Sequence, residues 1–369
     1  MKIQIMPQDM VRQISIAQRA ISSRTTMPIL ECIRFEATGE QLILTATDLE
    51  LSVETKIPCQ IEEEGIVVIP ATLIGNIFRK LPPSPATVRT QGDTVYIDCL
   101  DSHFQLQVSN ASDFPGLPEV NASQSTRLYN DVFRRAIRET EFATSLDESK
   151  IALTGIYFQR KEREVCLVAL DGYRLAVRSI PLPDNAEAFT QEAIVPRRAM
   201  NEWTKVLPEE GETEIRMVPG HIVMESGSMK LFSRLIEKKY IRYEDIISSD
   251  YQTLITVERH AFQSSLERAS LLAKEERANL IKLSFQGKDL RIESNSEIGN
   301  VNERLIVEKE GEDLKIAFNA KYLLDGIRAL DCESLTLRLN GHLNPMIMKP
   351  LESEDSYLYL VLPVRVGRE

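Results

Sequence analysis

The chain has 369 residues, of which 43% are hydrophobic and 27% are charged, and its formal net charge is −11. This composition is typical of a globular protein of two or three domains and excludes extended disorder. No apolar run approaches the roughly 18 residues of a membrane span, and no secretion signal is evident, so we expect a cytoplasmic protein without a membrane partner. The five cysteines are scattered, which argues against a disulfide framework and a zinc site.

Six amphipathic segments predict helices, two in each third of the chain. The first covers 8–20 and is predicted from Met10, Ile14, Ala17 and Ile21, whose spacings of four, three and four give the period of one buried helical face. Runs of alternating apolar and polar residues between the helices predict half-buried strands. The other five predicted helices lie at 71–80, 130–142, 197–207, 257–272 and 320–330.

The most informative pattern is a segment that occurs three times. Similar sequences begin at Ile69 (IPATLIGNIFRKLP), Val195 (VPRRAMNEWTKVLP) and Phe318 (FNAKYLLDGIRALD), at offsets of 126 and 123 residues. Strand-like runs that end at Phe35, Phe158 and Phe285 recur with almost the same period. Two elements that share a period near one third of the chain predict three copies of one domain.

The repeat predicts an α+β fold in which each third has a strand, a helix, several strands, a second helix and more strands. The segment 113–126 is rich in Pro, Gly, Asn and Ser, as expected of a linker, and 243–254 is a weaker second boundary. We therefore predict domains at 1–125, 126–249 and 250–369.

The negative charge is unevenly distributed. The six predicted helices hold 14 basic and 8 acidic residues, which leaves 30 basic and 47 acidic residues elsewhere. This segregation favours one basic surface made of helices, although solvated helix faces are an alternative. Basic residues such as Arg79, Lys80, Arg197 and Arg198 lie at helix ends, where they predict contacts with backbone phosphate that read no bases.

The sequence contains no recognised catalytic motif. It has no phosphate-binding loop, no GxGxxG and no GxSxG, and its four histidines lie far from each other and from the cysteines. We therefore expect no cofactor and no metal site. An enzyme that acts on nucleic acid through carboxylates near Asp48 or Asp171 is the alternative from a different class.

The C-terminal sequence SYLYLVLPVRVGRE is unusually apolar for the end of a chain. Such a strand must be buried or offered to a partner. Leu362 and Pro363 are the better candidates for a binding edge, while alternation predicts that the other apolar residues belong to a core.

Together these features resemble the bacterial DNA polymerase III beta subunits, the replicative sliding clamps. The resemblance covers the whole chain. It rests on RTTMPIL at Arg24, LTATDLE at Leu44, DFPGLPE at Asp113, ALDGYRLAV at Ala169, IVPRRAM at Ile194, FNAKYLLD at Phe318 and YLVLPVRV at Tyr359. It implies a head-to-tail homodimer in which six clamp-type domains, each with two helices on antiparallel sheets, form a ring around double-stranded DNA. Such a clamp has no catalytic activity and gives the polymerase processivity.

The resemblance also implies which residues contact DNA and which form the dimer seam. Arg24, Arg197 and Arg198 match DNA-facing positions of the family, and Arg79 and Lys80 are added from their helix position. The seam is expected to join Phe104 and Leu106 on the first domain to Leu271 and Leu272 on the third.

A pocket for short peptides is implied between the second and third domains. Its expected occupants belong to the DNA polymerase III alpha subunit, the clamp loader delta subunit and other proteins with a clamp-binding motif. The matching positions are Leu153, Leu170, Gly172, Tyr173, Arg174, Leu175, Ile241, Ile246, Leu360, Leu362, Pro363, Val364 and Arg365.

Several residues depart from the family pattern. Ile241 replaces a proline, Leu170 a small polar residue and Tyr173 a residue that is often histidine, and Asp245 stands where a basic residue is common. These changes bear on the peptide preference, so a clamp-like paralogue with a restricted partner set is a second alternative. Leu73 occupies a helix position where the family often has a basic DNA contact.

Overall fold

The computed structural model describes residues 1–22, 25–118, 125–182, 192–274, 279–352 and 356–365. The predicted DNA contact Arg24 lies outside these residues. All six predicted helices are present. They are α1 (Pro7–Ala17), α2 (Ala71–Lys80), α3 (Asn130–Glu141), α4 (Arg197–Val206), α5 (Arg259–Ala273) and α6 (Ala320–Ala329).

Local chemistry explains where several helices begin. Pro7 occupies the first turn of α1, where its missing N–H removes no helical hydrogen bond. The Asn319 side chain accepts a hydrogen bond from the Lys321 N–H and caps α6. The Glu258 carboxylate accepts from two backbone N–H groups at the start of α5, where the helix dipole also favours negative charge.

The strands of the three thirds follow one plan. In the first third they are β1 (Lys2–Ile5), β2 (Cys32–Thr38), β3 (Gln41–Thr47), β4 (Leu51–Pro58), β5 (Gln60–Glu63), β6 (Gly65–Pro70), β7 (Ala86–Gln91), β8 (Thr94–Cys99) and β9 (Ser102–Gln107). In the second they are β10 (Thr126–Tyr129), β11 (Gly155–Lys161), β12 (Glu164–Leu170), β13 (Arg174–Pro181), β14 (Ala193–Pro196), β15 (Glu212–Val218), β16 (His221–Ser226) and β17 (Met229–Arg234).

In the last third they are β18 (Thr253–Glu258), β19 (Leu280–Gln286), β20 (Asp289–Ser296), β21 (Gly299–Ile306), β22 (Glu308–Gly311), β23 (Leu314–Asn319), β24 (Ser334–Leu339), β25 (Met346–Pro350) and β26 (Tyr357–Val361). Each third therefore runs strand, helix, strands, helix and three strands, which confirms the predicted plan.

The chain forms two compact units. The first contains Met1–Asp131 and Arg198–Leu235, and the second contains Val132–Asn185, Thr190–Arg197 and Ile236–Glu369. The first unit holds a five-stranded sheet in the order β5-β1-β7-β8-β9 and an eight-stranded sheet in the order β10-β15-β16-β17-β4-β3-β2-β6. The second holds a nine-stranded sheet in the order β14-β11-β12-β13-β26-β25-β24-β18-β22 and a four-stranded sheet in the order β21-β20-β19-β23.

Each unit contains one place where successive thirds of the chain share a sheet. In the first unit β17 pairs antiparallel with β4, which we name the first junction. In the second unit β26 pairs antiparallel with β13, which we name the second junction. Both junctions join the third strand after one domain's first helix to the last strand of the next domain.

The core of the second unit lies between its helices and sheets. Phe262 and Leu266 of α5 and Leu323 of α6 are fully buried against Phe285 of β19 and Leu337 of β24. Alternation along these strands accounts for the burial, because every second side chain faces the helices. No helix among the described residues is long and apolar enough to cross a membrane.

Candidate nucleic-acid and peptide interfaces

Arg197 and Arg198 lie side by side at the start of α4, and each is paired with a carboxylate. In the second unit, Arg197 Nε donates to Glu141 Oε2 at 3.1 Å. In the first unit, the Arg198 side chain pairs with Asp48 in the turn between β3 and β4, and it remains 47% exposed. Both guanidinium groups are thus positioned on a helix end while remaining accessible to a further anion.

Arg79 and Lys80 occupy the exposed end of α2 in the first unit. The Arg79 guanidinium donates to Asn76 Oδ1 at 2.7 Å and has no carboxylate partner among the contacts of the described residues. Other helix cations are balanced by nearby acids, as in the pairs Arg19–Glu202, Lys205–Glu202, Arg268–Glu303, Lys321–Asp325 and Arg328–Glu267. The basic character of the helices is therefore partly neutralised within the protein.

The predicted seam residues lie on outer edges of the two smaller sheets or next to them. Phe104 and Leu106 are half-buried on β9, the edge strand of the first unit's five-stranded sheet. Leu271 and Leu272 lie at the end of α5 in the second unit, where Leu271 is 65% exposed. Apolar side chains left this exposed at sheet edges and helix ends mark surfaces that suit a partner.

Five of the predicted pocket residues form a single apolar cluster in the second unit. Leu153, Leu170, Leu175 and Leu360 are buried together, and Leu362 packs against them. Leu175 on β13 lies directly opposite Leu360 on β26, so the second junction itself supplies the centre of the cluster. The structure therefore brings together residues that are up to about two hundred positions apart in the sequence.

The segment that follows β17 covers part of this cluster. Tyr240 stacks on Tyr157 with ring centroids 4.6 Å apart, and the buried Tyr243 donates its hydroxyl to Gln159 Oε1 at 2.6 Å. Burial raises the pKa of the Tyr243 phenol. The predicted pocket residues Ile241 and Ile246 lie in the same segment and are exposed, so the segment presents apolar side chains to solvent beside the cluster.

The turn between β12 and β13 carries Gly172 and Tyr173. Gly172 has a φ of 97°, which favours glycine because it has no Cβ. The Asp171 carboxylate fixes the turn by accepting the Tyr173 N–H at 2.8 Å. Tyr173 is consequently held 56% exposed, with its ring stacked on Tyr322 of α6 at a centroid distance of 5.9 Å.

The Arg174 side chain points away from the apolar cluster. It donates to Asp171 Oδ2 at 3.0 Å, to Asp325 Oδ2 at 2.7 Å and to the Phe142 carbonyl at 2.7 Å. Burial alone would lower the pKa of Arg174, but the two carboxylates outweigh burial and raise it. Arg174 therefore holds the second junction to α6.

The remaining predicted pocket residues lie at the end of the described chain. The Leu362 N–H donates to the Tyr173 carbonyl and the Val364 N–H donates to the Ala317 carbonyl. Pro363 and Val364 are half-buried, and Arg365 is exposed. Backbone hydrogen bonds thus anchor this segment next to the Gly172 turn.

Sequence reasoning missed an extension of the same face. Val177 and Leu358 also pack against the apolar cluster. They line a cavity of about 380 Å³ whose other walls include Tyr243, Ile247, Lys161, Glu164, Glu244 and Lys349. The alternation of Leu358, Leu360 and Leu362 in the terminal strand was the available signal, since it places all three on one face.

The carboxylates of the enzyme alternative are already engaged in turns. Asp48 accepts the Leu51 N–H at 2.8 Å and Asp171 accepts the Arg174 N–H at 3.1 Å, and each also pairs with an arginine. Within the described ranges, no three His, Cys, Asp or Glu side chains are grouped so that they could hold a metal ion.

Three family models match successive parts of the chain. The DNA polymerase III beta subunit N-terminal domain matches residues 1–118, the central domain matches 127–241 and the C-terminal domain matches 244–365. The beta sliding clamp of Staphylococcus epidermidis is 33% identical over 367 residues, with 96% of this chain and 97% of that protein covered.

Solved structures agree with the sequence comparison. The DNA polymerase sliding clamp of Bacillus subtilis superimposes with a TM-score of 0.96 at 30% identity and 99% coverage of each chain. A DNA polymerase III beta subunit from Eubacterium rectale gives a TM-score of 0.94 at 31% identity, covering 99% of this chain and 100% of that one. The family models, the curated relative and the solved structures thus define a three-domain DNA sliding clamp, a processivity factor and not a catalytic enzyme. The chain belongs to the DNA polymerase III beta subunit family.

Proposed function

We propose that two copies of this chain close head to tail into a ring around double-stranded DNA, with β9 of each copy paired to β21 of the other. The observation that carries the proposal is that the two internal junctions have the same register, while β9 and β21 are left at the edges of their sheets. A head-to-tail contact closes a ring or grows a filament, and family membership favours the ring.

Residue correspondence among the thirds follows from the hairpins. Two-residue turns close the first hairpin of each third between Thr38 and Gln41, Lys161 and Glu164, and Gln286 and Asp289. The residue five positions after Gln41, Glu164 or Asp289 is paired with a residue of the next strand, which is β4, β13 or β21. The paired residues, and therefore the equivalent positions, are Val53, Ala176 and Val301.

The last strands correspond in the same way. In each third, a row of paired residues starts four positions before the first helix, at Ile3, Thr126 and Ile255. From this first strand the row passes through the three strands that follow the second helix. The three rows end at equivalent residues of the last strands, which are Phe104, Leu231 and Tyr359.

The two junctions pair equivalent residues. Leu231 lies opposite Val53 in the first junction, and Tyr359 lies opposite Ala176 in the second. Because these pairs are equivalent, the same register places Phe104 of one copy opposite Val301 of its partner. The seam would thus repeat a pairing that the fold already uses twice.

The backbone hydrogen bonds at the junctions support this register. The Arg234 N–H donates to the Glu50 carbonyl in the first junction, and the Leu362 N–H donates to the Tyr173 carbonyl in the second, both at 2.9 Å. The equivalent seam bond runs from the Gln107 N–H to the Ile298 carbonyl of the other copy. Pairing would satisfy edge groups that otherwise depend on water.

The apolar seam residues have a counterpart inside the second unit. Phe133 of α3 and Phe262 of α5 are equivalent and fully buried, so Phe142 corresponds to Leu271. The Phe142 ring contacts the Tyr359 ring at a centroid distance of 5.4 Å in the second junction. Since Tyr359 corresponds to Phe104, Leu271 is expected to pack on Phe104 across the seam, with Leu272 and Leu106 beside them.

For DNA binding, the proposal assigns phosphate contacts to Arg24, Arg79, Lys80, Arg197 and Arg198. The described members of this set are at helix ends and are reachable by an anion. A ring retains DNA by topology, so these contacts need only be weak and exchangeable. Carboxylate partners such as Asp48 suit that requirement, because they replace phosphate when the duplex moves.

For partner binding, the proposal assigns the apolar cluster of the second unit to a short peptide. Leu153, Leu175 and Leu360 are buried in one apolar cluster, Leu362 packs against it, and the exposed Tyr173 lies in the turn next to it. Apolar anchors in such pockets dominate peptide affinity. The expected peptides belong to the DNA polymerase III alpha subunit, the clamp loader delta subunit and other proteins with a clamp-binding motif. The cytoplasm is the expected compartment, and 1–125, 126–249 and 250–369 remain the proposed domains.

Sedimentation equilibrium of Phe104→Asp tests the ring. A buried aspartate opposite Val301 lacks a partner, at a cost of about 2 kcal/mol per seam. Each dimer contains two identical seams, so the dissociation constant of the dimer should rise about a thousandfold. Gln91→Asp, at the exposed end of β7 and two strands away from β9, is the control. A dimer unaffected by Phe104→Asp, or a chain that is monomeric at micromolar concentration, would contradict the proposal.

A further inference from the structure

Two large apolar side chains are exposed at positions that belong neither to the peptide pocket nor to the four apolar residues predicted for the seam. Leu73 in the first turn of α2 is 43% exposed, and Ile298 in the turn between β20 and β21 is 74% exposed. They belong to different units of the chain. Within the described parts of the chain, neither side chain belongs to an apolar cluster of its own unit.

The repeat shows what lies at the equivalent positions. The residue just before the second helix of each third is Pro70, Pro196 or Asn319. Each of them is paired with the first strand that follows the first helix of its third. Leu73 therefore corresponds to Ala199 and Tyr322. The turns before the third strands correspond likewise, so that Ile298 is equivalent to Glu50 and Tyr173.

At both internal junctions this turn, or the strand residue that follows it, contacts the first two turns of the neighbouring domain's second helix. We name that contact the corner of the junction. In the first junction the corner is the ion pair of Asp48 with Arg198. In the second, Tyr173 stacks on Tyr322, and Arg174 pairs with Asp325 at 2.7 Å.

We infer that Ile298 of one copy packs against Leu73 of the other and forms the corner of the dimer seam. The inference rests on the proposed ring, because it extends the β9–β21 register to the helices. The stacked pair Tyr173–Tyr322 is the direct template, since its two residues are the equivalents of Ile298 and Leu73. Leu73 is thus a seam residue, and its apolar side chain does not serve DNA binding.

The seam corner differs in chemistry from both internal corners. Positions that hold Arg198, Asp48, Arg174 and Asp325 at the internal corners are occupied in the seam by neutral residues, which are Thr72, Ser296, Gly299 and Asn76. Glu297 is the charged residue of this turn, but none of the four matched positions offers it a basic partner, so an apolar contact is the main attraction available at this corner. It also selects against partners that carry a charge there, because burying an unpaired charge is costly.

Charge reversal at the two positions tests the inference. Leu73→Glu and Ile298→Glu are each expected to weaken the dimer by roughly a hundredfold, because about tenfold per seam is lost twice in a closed dimer. Leu73→Lys combined with Ile298→Glu should recover at least tenfold relative to Ile298→Glu alone, since the two charges then meet. Both positions are exposed, so the separate chains should fold normally.

Ile66→Glu is the matched control, because Ile66 is also 43% exposed but lies on β6, outside the seam. Sedimentation equilibrium of all variants separates the possible failures. If the unmodified chain dimerises and the Leu73 and Ile298 variants dissociate no more than the control, the corner is wrong and the ring stands. If the unmodified chain does not dimerise, the ring and the corner both fail. Additive weakening by the oppositely charged pair, with no recovery, also overturns the contact.

Discussion

The two internal junctions share one backbone register but present different side chains on the face that carries the pocket. At the second junction Leu175 lies opposite Leu360 and Val177 lies opposite Leu358. The equivalent pairs at the first junction are Ser52 with Phe232 and Glu54 with Lys230. The same pairing therefore gives an apolar surface in one unit and a largely polar one in the other.

This difference shows how a repeated fold separates structural and recruiting roles. The backbone hydrogen bonds hold the domains together at both places, and they do not depend on side-chain identity. A binding pocket requires in addition a contiguous apolar surface with exposed anchoring positions. Only the second junction meets this requirement among the described residues, because Tyr240, Tyr243 and Leu362 extend its apolar cluster.

The corners of the two junctions differ as well. Arg174 is only 6% exposed and bonds two carboxylates and a carbonyl, whereas Arg198 is 47% exposed and pairs with Asp48. The Asp48 side chain is itself only 6% exposed, so the first corner is half-buried, but its arginine stays open to water whereas Arg174 does not. The second corner is accordingly the more rigid support, and the first leaves its arginine accessible to a further anion.

The largest expected effect comes from Arg174→Ala. It leaves Asp171 and Asp325 without their shared partner, and breaking a buried pair costs about 3–5 kcal/mol. Hydrogen exchange of the β13 and β26 amides should accelerate strongly. Arg198→Ala is the matched change at the first corner and should cost under about 1 kcal/mol, read from the fluorescence of Trp203 in the first unit. Equal losses at the two corners would remove the distinction.

The next largest effect is expected for peptide binding, which should depend on the second junction and not on the first. Leu362→Ala truncates a half-buried anchor of the second junction and should weaken a peptide with Leu and Phe side chains by about 10- to 30-fold in a fluorescence titration. Arg234, the equivalent residue at the first junction, supplies the control, because Arg234→Ala should leave the affinity unchanged. Matching effects of both variants would show that the pocket is not confined to the second junction.

A moderate effect is expected for the two arginines at the start of α4 that are proposed to contact DNA. Arg197→Ala together with Arg198→Ala should weaken binding of linear duplex DNA several-fold and reduce the slope of log K against log salt by about 0.9 for each phosphate that is no longer neutralised. Arg216→Ala with Arg234→Ala removes the same charge from strands. Identical salt slopes for the two double variants would indicate that net charge alone governs binding.

The smallest effect is expected for Asp48→Asn. Asparagine retains an oxygen for the backbone N–H of Leu51 but loses the charge that pairs with Arg198. Freed Arg198 should raise the affinity for linear duplex DNA by about two- to threefold, on the scale of an exposed ion pair. Glu50→Gln, which alters the neighbouring pair with Arg234, serves as the control. A fall in affinity would show that Asp48 orients Arg198 for DNA.

Much of the fold could be predicted because it depends on local sequence patterns, namely the spacing of apolar residues and the threefold repeat. The apolar spacing of Met10, Ile14 and Ala17 identified α1, and all three are buried. The threefold repeat predicted three similar domains, and three family models match successive parts of the chain. The joining of β17 to β4 and of β26 to β13 could not be predicted from periodicity, since strand alternation fixes a face and not a partner.

The candidate site was predicted less completely than the fold. Motifs identified Leu360 and Leu362, but the roles of the arginines depend on distant carboxylates. Arg174 faces Asp325, 151 residues away, and Arg198 faces Asp48, 150 residues away. No local pattern connects such residues. The neutral seam corner also emerges only when the junctions are compared position by position.

The central claim is that the ring holds DNA by topology, and retention on circular DNA tests it most directly. Protein loaded on closed circular duplex should remain bound in high salt, because weak phosphate contacts are not required once the ring is closed. Linearising the same DNA should release the protein at once by sliding from the ends. If circular and linear DNA lose the protein at equal rates over the same salt range, it is held by charge alone and the account is contradicted.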